Sequence, residues 1–247
     1  MLYQAYLLLV LAFVTAATPP AQRMVKETFG SGGRTRTFYL FVPDSVKKGE
    51  PAPLLVLLHG SGRTGDSLLE KWTSIARRDG IILAGPDALS KVGWAVPADG
   101  PDYLYDLVET LRAQYDIDPA RVYLFGHSAG AGHALAMGVL ESEYFAAVAV
   151  HAGTLNQAMF PLIERAPRKI PMAIWVGDND SLFPVRVVRA TQEALNKHGF
   201  DAQFTVIGRH THWYYDRAPE INAKVWAFLQ RHRLDGEPKY QRYQLVR

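Results

Sequence analysis

The stretch that decides the fold is residues 122–130, which read VYLFGHSAG. Four apolar residues predict a buried strand, and the alanine-rich segment that follows predicts a helix. At their junction the pattern G-x-S-x-G is centred on Ser128, with Gly126 and Gly130 at its ends. These glycines let strand and helix cross closely, so that a sharp turn lifts the Ser128 hydroxyl clear of the sheet. The stretch therefore predicts Ser128 as a nucleophile, with a plain helix N-cap as the alternative.

Short apolar runs surround this stretch, and each has the length and two-sided character of a strand in a parallel sheet. They occupy residues 54–58, 81–84, 122–125, 146–150, 173–176 and 204–207. Helical stretches alternate with them, at residues 67–78, 104–115, 129–140, 185–198 and 220–231. An earlier run at residues 36–42 alternates like a half-buried strand, with an edge position as one option. This alternation predicts an α/β fold with a mostly parallel, doubly wound sheet and helices on both faces.

The composition fits a single domain with a substantial core. The chain has 247 residues, of which 48% are hydrophobic, and no shift in composition indicates a second domain. We expect this domain at residues 24–234 and a polar C-terminal tail at residues 235–247. The net charge of +3 comes from 27 basic and 24 acidic residues without a dense basic block, so we expect no nucleic-acid partner. The composition leaves the oligomeric state open.

The residue types also limit the chemistry. The chain has no cysteine, which excludes disulfides, thiolate chemistry and cysteine-based metal sites. The spacing of histidine and acidic residues does not form a zinc motif such as H-E-x-x-H. We therefore expect no metal.

The N-terminal segment differs from the rest of the chain. Residues 2–17 are almost wholly apolar and end in small residues before Pro19, which predicts a signal peptide at residues 1–17. A retained membrane anchor is the alternative, but the segment is shorter than the ~20 residues that span a bilayer. We expect a secreted or periplasmic protein without stable membrane insertion after cleavage.

A serine hydroxyl needs a base to accept its proton and a carboxylate to orient that base. Two acids, Asp178 and Asp180, follow the run at 173–176, where catalytic residues of open α/β sheets collect. Two histidines, His210 and His212, follow the last predicted strand. The order of serine, acid and histidine along the chain is the one found in folds with this kind of turn. At this point both acids and both histidines stay open as candidates.

A reacting acyl group also needs backbone donors for its developing oxyanion. The run at 54–58 ends in a glycine-rich turn at residues 59–62, which reads HGSG. We predict the amides of Ser61 and Ala129 as the two donors, with a tight turn of no chemical role as the alternative for this segment. Trp94 and Trp213 are candidates for lining a substrate pocket, and core or rim positions are equally open for them.

Together these motifs resemble the α/β-hydrolase superfamily over about residues 36–234. The sequence is most similar to polyhydroxybutyrate-depolymerase-like, feruloyl-esterase-like and esterase D-like single-domain esterases. The resemblance implies a Ser128, Asp180 and His212 triad, no cofactor and acyl-ester substrates. It favours Asp180 because residues 180–184 match the acid loop of the family. It favours His212 because residues 212–215 resemble the His-x-Tyr-Tyr of esterase D-like enzymes.

The sequence thus predicts a serine carboxylic-ester hydrolase that acts on small soluble or oligomeric esters through an acyl-enzyme. One alternative is an acyltransferase that uses the same triad but delivers the acyl group to an alcohol. The other is a non-catalytic binding protein that keeps the fold without the chemistry. Such a binding protein would be expected to lack a triad member, and here all three residue types are present.

Overall fold

The computed structural model of the protein describes residues 23–241. The predicted signal peptide at residues 1–17 and residues 242–247 of the predicted tail lie outside this range. No helix in the described part of the chain combines the length and apolar character needed to cross a membrane.

Eight strands form one sheet within residues 23–241, in the order β1-β2-β4-β3-β5-β6-β7-β8. The strands are β1 (Val25–Ser31), β2 (Arg34–Phe41), β3 (Ala52–Leu58), β4 (Ile82–Pro86), β5 (Ile117–His127), β6 (Ala147–His151), β7 (Met172–Gly177) and β8 (Ala202–Ile207). The pairs β1–β2 and β2–β4 are antiparallel, and every other pair is parallel. The sequence prediction of a mostly parallel sheet is confirmed.

Helices cover both faces of this sheet. They are α1 (Gly65–Leu69), α2 (Thr73–Asp79), α3 (Pro101–Arg112), α4 (Ala129–Leu140), α5 (Phe160–Arg165), α6 (Val185–Lys197) and α7 (Ala218–Leu229). Because side chains alternate along a strand, β3 sends Leu54 and Val56 into a core with α3, α4 and α6. Its Leu55 and Leu57 enter a second core with α1, α2 and α7. The two cores fix the sheet as the rigid layer on which the site is built.

The structure corrects the sequence analysis at the first edge of the sheet. The strand predicted at 36–42 lies inside the sheet as β2, and β1 takes the edge. A turn through Gly32 and Gly33, both with positive φ (56° and 70°), joins the two strands. Most residues of β1 are exposed, so this strand lacks the apolar pattern by which the others were predicted.

Two helical predictions also change. The single helix predicted at 67–78 is two helices, α1 and α2, separated by a 3₁₀ turn at Glu70–Trp72. The short helix α5 was not predicted. The described part of the predicted tail lies along the surface, where the Tyr240 ring stacks on Tyr105 with centroids 4.0 Å apart.

Candidate active site

The nucleophile turn joins β5 to α4 in a single residue. His127 ends β5, Ala129 begins α4, and Ser128 between them has φ 57° and ψ −119°, an unusual conformation for a residue with a side chain. A Cβ on Gly126 would lie 2.2 Å from the carbonyl oxygen of Gly130, so the crossing of strand and helix requires glycine. The structure therefore contains the strand, sharp turn and helix that the sequence predicts around Ser128.

Ser128 forms one end of a hydrogen-bonded chain of three side chains. Its Oγ lies 2.9 Å from Nε2 of His212, and Nδ1 of His212 lies 2.9 Å from Oδ2 of Asp180. Since a carboxylate only accepts, the proton on Nδ1 of His212 is donated to Asp180. Nε2 then carries a lone pair that can accept the Ser128 hydroxyl proton.

Asp180 is held rigidly for this contact. Its side chain is fully buried, and its Oδ1 accepts the amides of Leu182 (2.9 Å) and Phe183 (2.8 Å). The Phe183 ring also stacks on the His212 ring, with centroids 5.5 Å apart and planes 19° apart. The acid loop therefore fixes both the carboxylate and one face of the imidazole.

The other two candidates lie elsewhere. Asp178 is exposed, and its Oδ1 accepts the backbone amide of His210 at 3.1 Å. Hydrogen bonds from the amides of Arg209 and His210 lower the pKa of Asp178. The His210 ring is buried and faces His151, with their Nε2 atoms 3.0 Å apart. The structure thus brings Ser128, Asp180 and His212 together and leaves Asp178 and His210 as neighbours of that group.

The glycine-rich turn packs directly against the nucleophile. A Cβ on Gly60 would lie 3.2 Å from Cβ of Ser128. Buried His59 shapes this turn, because its Nδ1 is 2.8 Å from the Gly60 carbonyl oxygen and its Nε2 accepts the Ala88 amide at 3.1 Å. Ala129 is the first residue of α4. Neither its amide nor the amide of Ser61 has a hydrogen-bond acceptor among residues 23–241. Both amides are therefore free to serve an oxyanion.

Comparison with known proteins identifies the family of this chain. The model of the dienelactone hydrolase family matches residues 79–230. The chain belongs to the dienelactone hydrolase family. Its eight-stranded, mostly parallel sheet has the α/β-hydrolase fold.

Among curated proteins, this family member is 27% identical to a poly(3-hydroxybutyrate) depolymerase of Ralstonia pickettii, over 68% of this chain and 40% of the relative. It is 24% identical to poly(3-hydroxyalkanoate) depolymerase C of Paucimonas lemoignei, over 70% of this chain and 51% of the relative. The chain therefore spans about half the length of these relatives or less.

Among solved structures, a ferulic acid esterase superposes with a TM-score of 0.70 at 18% identity, covering 85% of this chain and 98% of the other. An S-formylglutathione hydrolase from Agrobacterium tumefaciens gives a TM-score of 0.64 at 17% identity, covering 86% and 98%. At these identities the likeness shows the fold.

The two tryptophans predicted near the pocket have different surroundings in the structure. Trp94 is half-buried, donates from Nε1 to the His59 carbonyl oxygen at 2.8 Å and stacks on His133. Its contacts therefore support the glycine-rich turn. Trp213 is 43% exposed, and the Arg63 guanidinium lies 5.0 Å from its ring centroid. Trp213 thus stands at the rim, beside the His212 loop.

The sequence analysis missed a buried ion pair behind the site. Arg36 Nη2 lies 2.5 Å from Oδ1 of fully buried Asp99, which also accepts the amides of Leu89 and Ala95. These bonds fasten the loop between β4 and α3, whose Gly93 approaches Ser61 and Ala129. Arg36 and Asp99 are 63 residues apart, and no local pattern links them.

Buried histidines make the stability of the protein depend on pH. Burial lowers the pKa of His127 to about 3, with a further decrease from the charge of His212, and burial lowers the pKa of His133 to about 4. Histidines in an unfolded chain titrate near ~6.5, so between pH 6.5 and 4 the unfolded state binds more protons. The stabilisation from these two residues is complete above pH 6.5 and is lost as pH falls below it.

We therefore expect the free energy of unfolding to decrease by ~1.4 kcal/mol per pH unit for each such histidine below pH 6.5. Urea unfolding at pH 7, 6 and 5 measures this slope. His133→Phe removes one of these histidines, so its slope should be smaller than that of the parent protein by ~1.4 kcal/mol per pH unit. A stability that stays constant from pH 7 to 5 would contradict the expectation.

Proposed function

We propose that this protein hydrolyses small soluble or oligomeric acyl esters through a Ser128, His212 and Asp180 triad and an acyl-enzyme. The observation that carries the proposal is the continuous hydrogen-bonded chain from Asp180 through His212 to Ser128, with both contacts at 2.9 Å. In an α/β-hydrolase fold this arrangement supplies a nucleophile, a base and an orienting carboxylate.

In the first half-reaction, Oγ of Ser128 attacks the ester carbonyl while Nε2 of His212 takes the hydroxyl proton. The amides of Ser61 and Ala129 donate to the oxyanion of the tetrahedral intermediate. The buried carboxylate of Asp180 stabilises the imidazolium that forms. Collapse of the intermediate breaks the bond to the alcohol, which leaves with the proton from His212.

In the second half-reaction, a water molecule takes the place of the alcohol. His212 accepts a proton from this water as it attacks the acyl carbon, and then returns the proton to Oγ of Ser128. The products are the free carboxylic acid and the starting enzyme. An alcohol in place of water would give acyl transfer, so measuring the products with and without glycerol distinguishes the two outcomes.

The surroundings of the triad support substrates that reach it from solvent. His212 is 20% exposed, and the apolar side chains of Leu182 and Trp213 on the neighbouring loops are 68% and 43% exposed. Exposed apolar groups on the loops that carry His212 and Asp180 suit acyl or aryl chains of an ester. The names of the relatives, which refer to hydroxyalkanoate polymers and ferulic acid, add 3-hydroxybutyrate oligomers and feruloyl esters as substrates to test.

A substrate panel tests this function. It contains nitrophenyl esters of graded acyl length, a feruloyl ester and 3-hydroxybutyrate oligomers, with Ser128→Ala as the control for each ester. We expect hydrolysis of at least one class that depends on Ser128. Hydrolysis that continues unchanged in Ser128→Ala, or no hydrolysis of any ester, would contradict the proposal.

The choice of acid gives a separate prediction. Asp180→Asn should lower kcat by roughly 10³- to 10⁴-fold, because an amide can donate to Nδ1 of His212 and so favours the wrong tautomer. Asp178→Asn keeps an oxygen that can accept the His210 amide and should change kcat by less than about tenfold. Steady-state kinetics of both variants on one neutral ester provide the comparison. A larger loss from Asp178→Asn would show that the acid is assigned to the wrong residue.

A further inference from the structure

Three buried histidines form a hydrogen-bonded chain beside the triad, which we call the histidine chain (His127, His151 and His210). Nδ1 of His127 lies 3.1 Å from Nδ1 of His151, and Nε2 of His151 lies 3.0 Å from Nε2 of His210. All three residues are less than 5% exposed. The histidine chain therefore links the ends of β5 and β6 to the loop that carries His212.

The proton positions along the histidine chain depend on one another. Burial lowers the pKa of all three residues, so each ring is neutral and carries one proton near pH 7. Nδ1 of His127 also lies 3.3 Å from the carbonyl oxygen of His151, which can only accept. His127 therefore carries its proton on Nδ1 and donates it toward His151.

The remaining assignments follow from this first one. Because Nδ1 of His151 accepts, the single proton of His151 lies on Nε2 and is donated to Nε2 of His210. The proton of His210 then lies on Nδ1. His151 is thus the central member, since it alone accepts at one nitrogen and donates at the other.

The histidine chain packs against the proposed base. The ring of His127 lies 5.0 Å from the ring of His212 and stacks on Tyr214, with centroids 5.3 Å apart. Tyr214 also contacts His151, at 5.6 Å. Residues 208–214 form no helix or strand, so individual contacts hold this loop. They include the bond from the Asn179 amide to the His210 carbonyl oxygen (2.9 Å) and the ring contacts of His210 and Tyr214. His210, two residues before His212, is one of its buried anchors.

We propose that His151 is a positioning residue for the esterase: by accepting from His127 and donating to His210, it holds the loop of residues 208–214 so that His212 meets the Ser128 hydroxyl. This inference rests on the proposed function, in which His212 is the base. His151 is fully buried at the end of β6, so its effect passes through His212 and does not involve contact with the ester. Its loss should therefore affect the chemical step more than substrate binding.

His151→Phe tests the proposal, because it removes both hydrogen bonds while keeping a ring of similar volume. A shift of His212 by about 1 Å costs on the order of 10²-fold, so we expect kcat to fall by about that factor. KM should stay within about threefold of the parent value, because His151 does not contact the ester and substrate binding is unchanged. His151→Gln, whose amide N–H can replace the donor to His210, should recover most of kcat.

His232→Phe is the matched control. His232 follows α7 and packs on Phe228, and its Nε2 has no partner among residues 23–241. This variant makes the same chemical change away from the triad and should keep the parent kcat. A kcat for His151→Phe equal to that of His232→Phe would overturn the positioning role, while activity of the parent protein would still support the proposed function.

A second measurement applies even where His151→Phe does not fold. The ¹⁵N NMR shifts of the imidazole nitrogens in the parent protein report which nitrogen of each ring is protonated. We expect protons on Nδ1 of His127, Nε2 of His151 and Nδ1 of His210. Protonation of His151 on Nδ1 would overturn the proposed order of donation whatever the activity of the protein.

Discussion

Ser128→Ala should remove ester hydrolysis while leaving the fold of this protein intact. Alanine has no oxygen to attack the carbonyl, so the expected loss in kcat is roughly 10⁴-fold or more. The fold should persist because alanine keeps the Cβ that serine already has at φ 57°, and the backbone strain is unchanged. The assay is hydrolysis of a nitrophenyl ester, with circular dichroism and thermal unfolding to check the structure.

Ser67→Ala is the control for this substitution. Ser67 lies in α1, and its hydroxyl donates to the Thr64 carbonyl oxygen away from the triad. We expect parent activity from this variant. A Ser128→Ala protein that folds normally and keeps most of its activity would contradict the assignment of the nucleophile.

His212→Ala should give the next largest loss, about 10³- to 10⁴-fold in kcat, because no other base contacts the Ser128 hydroxyl in the described structure. His210→Ala should cost far less, roughly 10²-fold, because His210 acts on the position of the loop. Steady-state kinetics on one neutral ester rank the two variants. A greater loss from His210→Ala would show that the wrong histidine is assigned as the base.

The pH profile gives an independent readout of the base. Since only a neutral imidazole can accept the serine proton, kcat/KM for a neutral ester should rise with pH as the base loses its proton. In His212→Ala this rise should disappear along with the activity. In His210→Ala the rise should remain.

The sequence predicted best what depends on neighbouring residues. The turn between β5 and α4 needs glycine on both sides of Ser128, and this requirement is visible in residues 126–130. The parallel strands were predictable because both faces of each strand are buried and the sequence runs are correspondingly apolar. Strand β1 was missed because it is exposed, and its pairing depends on the turn through Gly32 and Gly33.

The choice between neighbouring candidates depended on loop conformation. His210 and His212 differ by two positions, and the positive φ of Arg209 (54°) helps to turn one ring into the core while the other meets Ser128. No local pattern predicts this conformation for an arginine, so the resemblance to esterase D-like enzymes carried the choice. The histidine chain was not predicted, because its members are 24 and 59 residues apart in sequence.

The most direct test of the central claim is covalent labelling by a fluorophosphonate, which reacts with an activated serine hydroxyl. Tryptic digestion should place the label on the peptide of residues 122–165, and fragmentation should distinguish Ser128 from Ser142 within it. The account predicts a label on Ser128 that is absent from Ser128→Ala and strongly slowed in His212→Ala. A label on another serine, or an active esterase that takes up no label at Ser128, would contradict it.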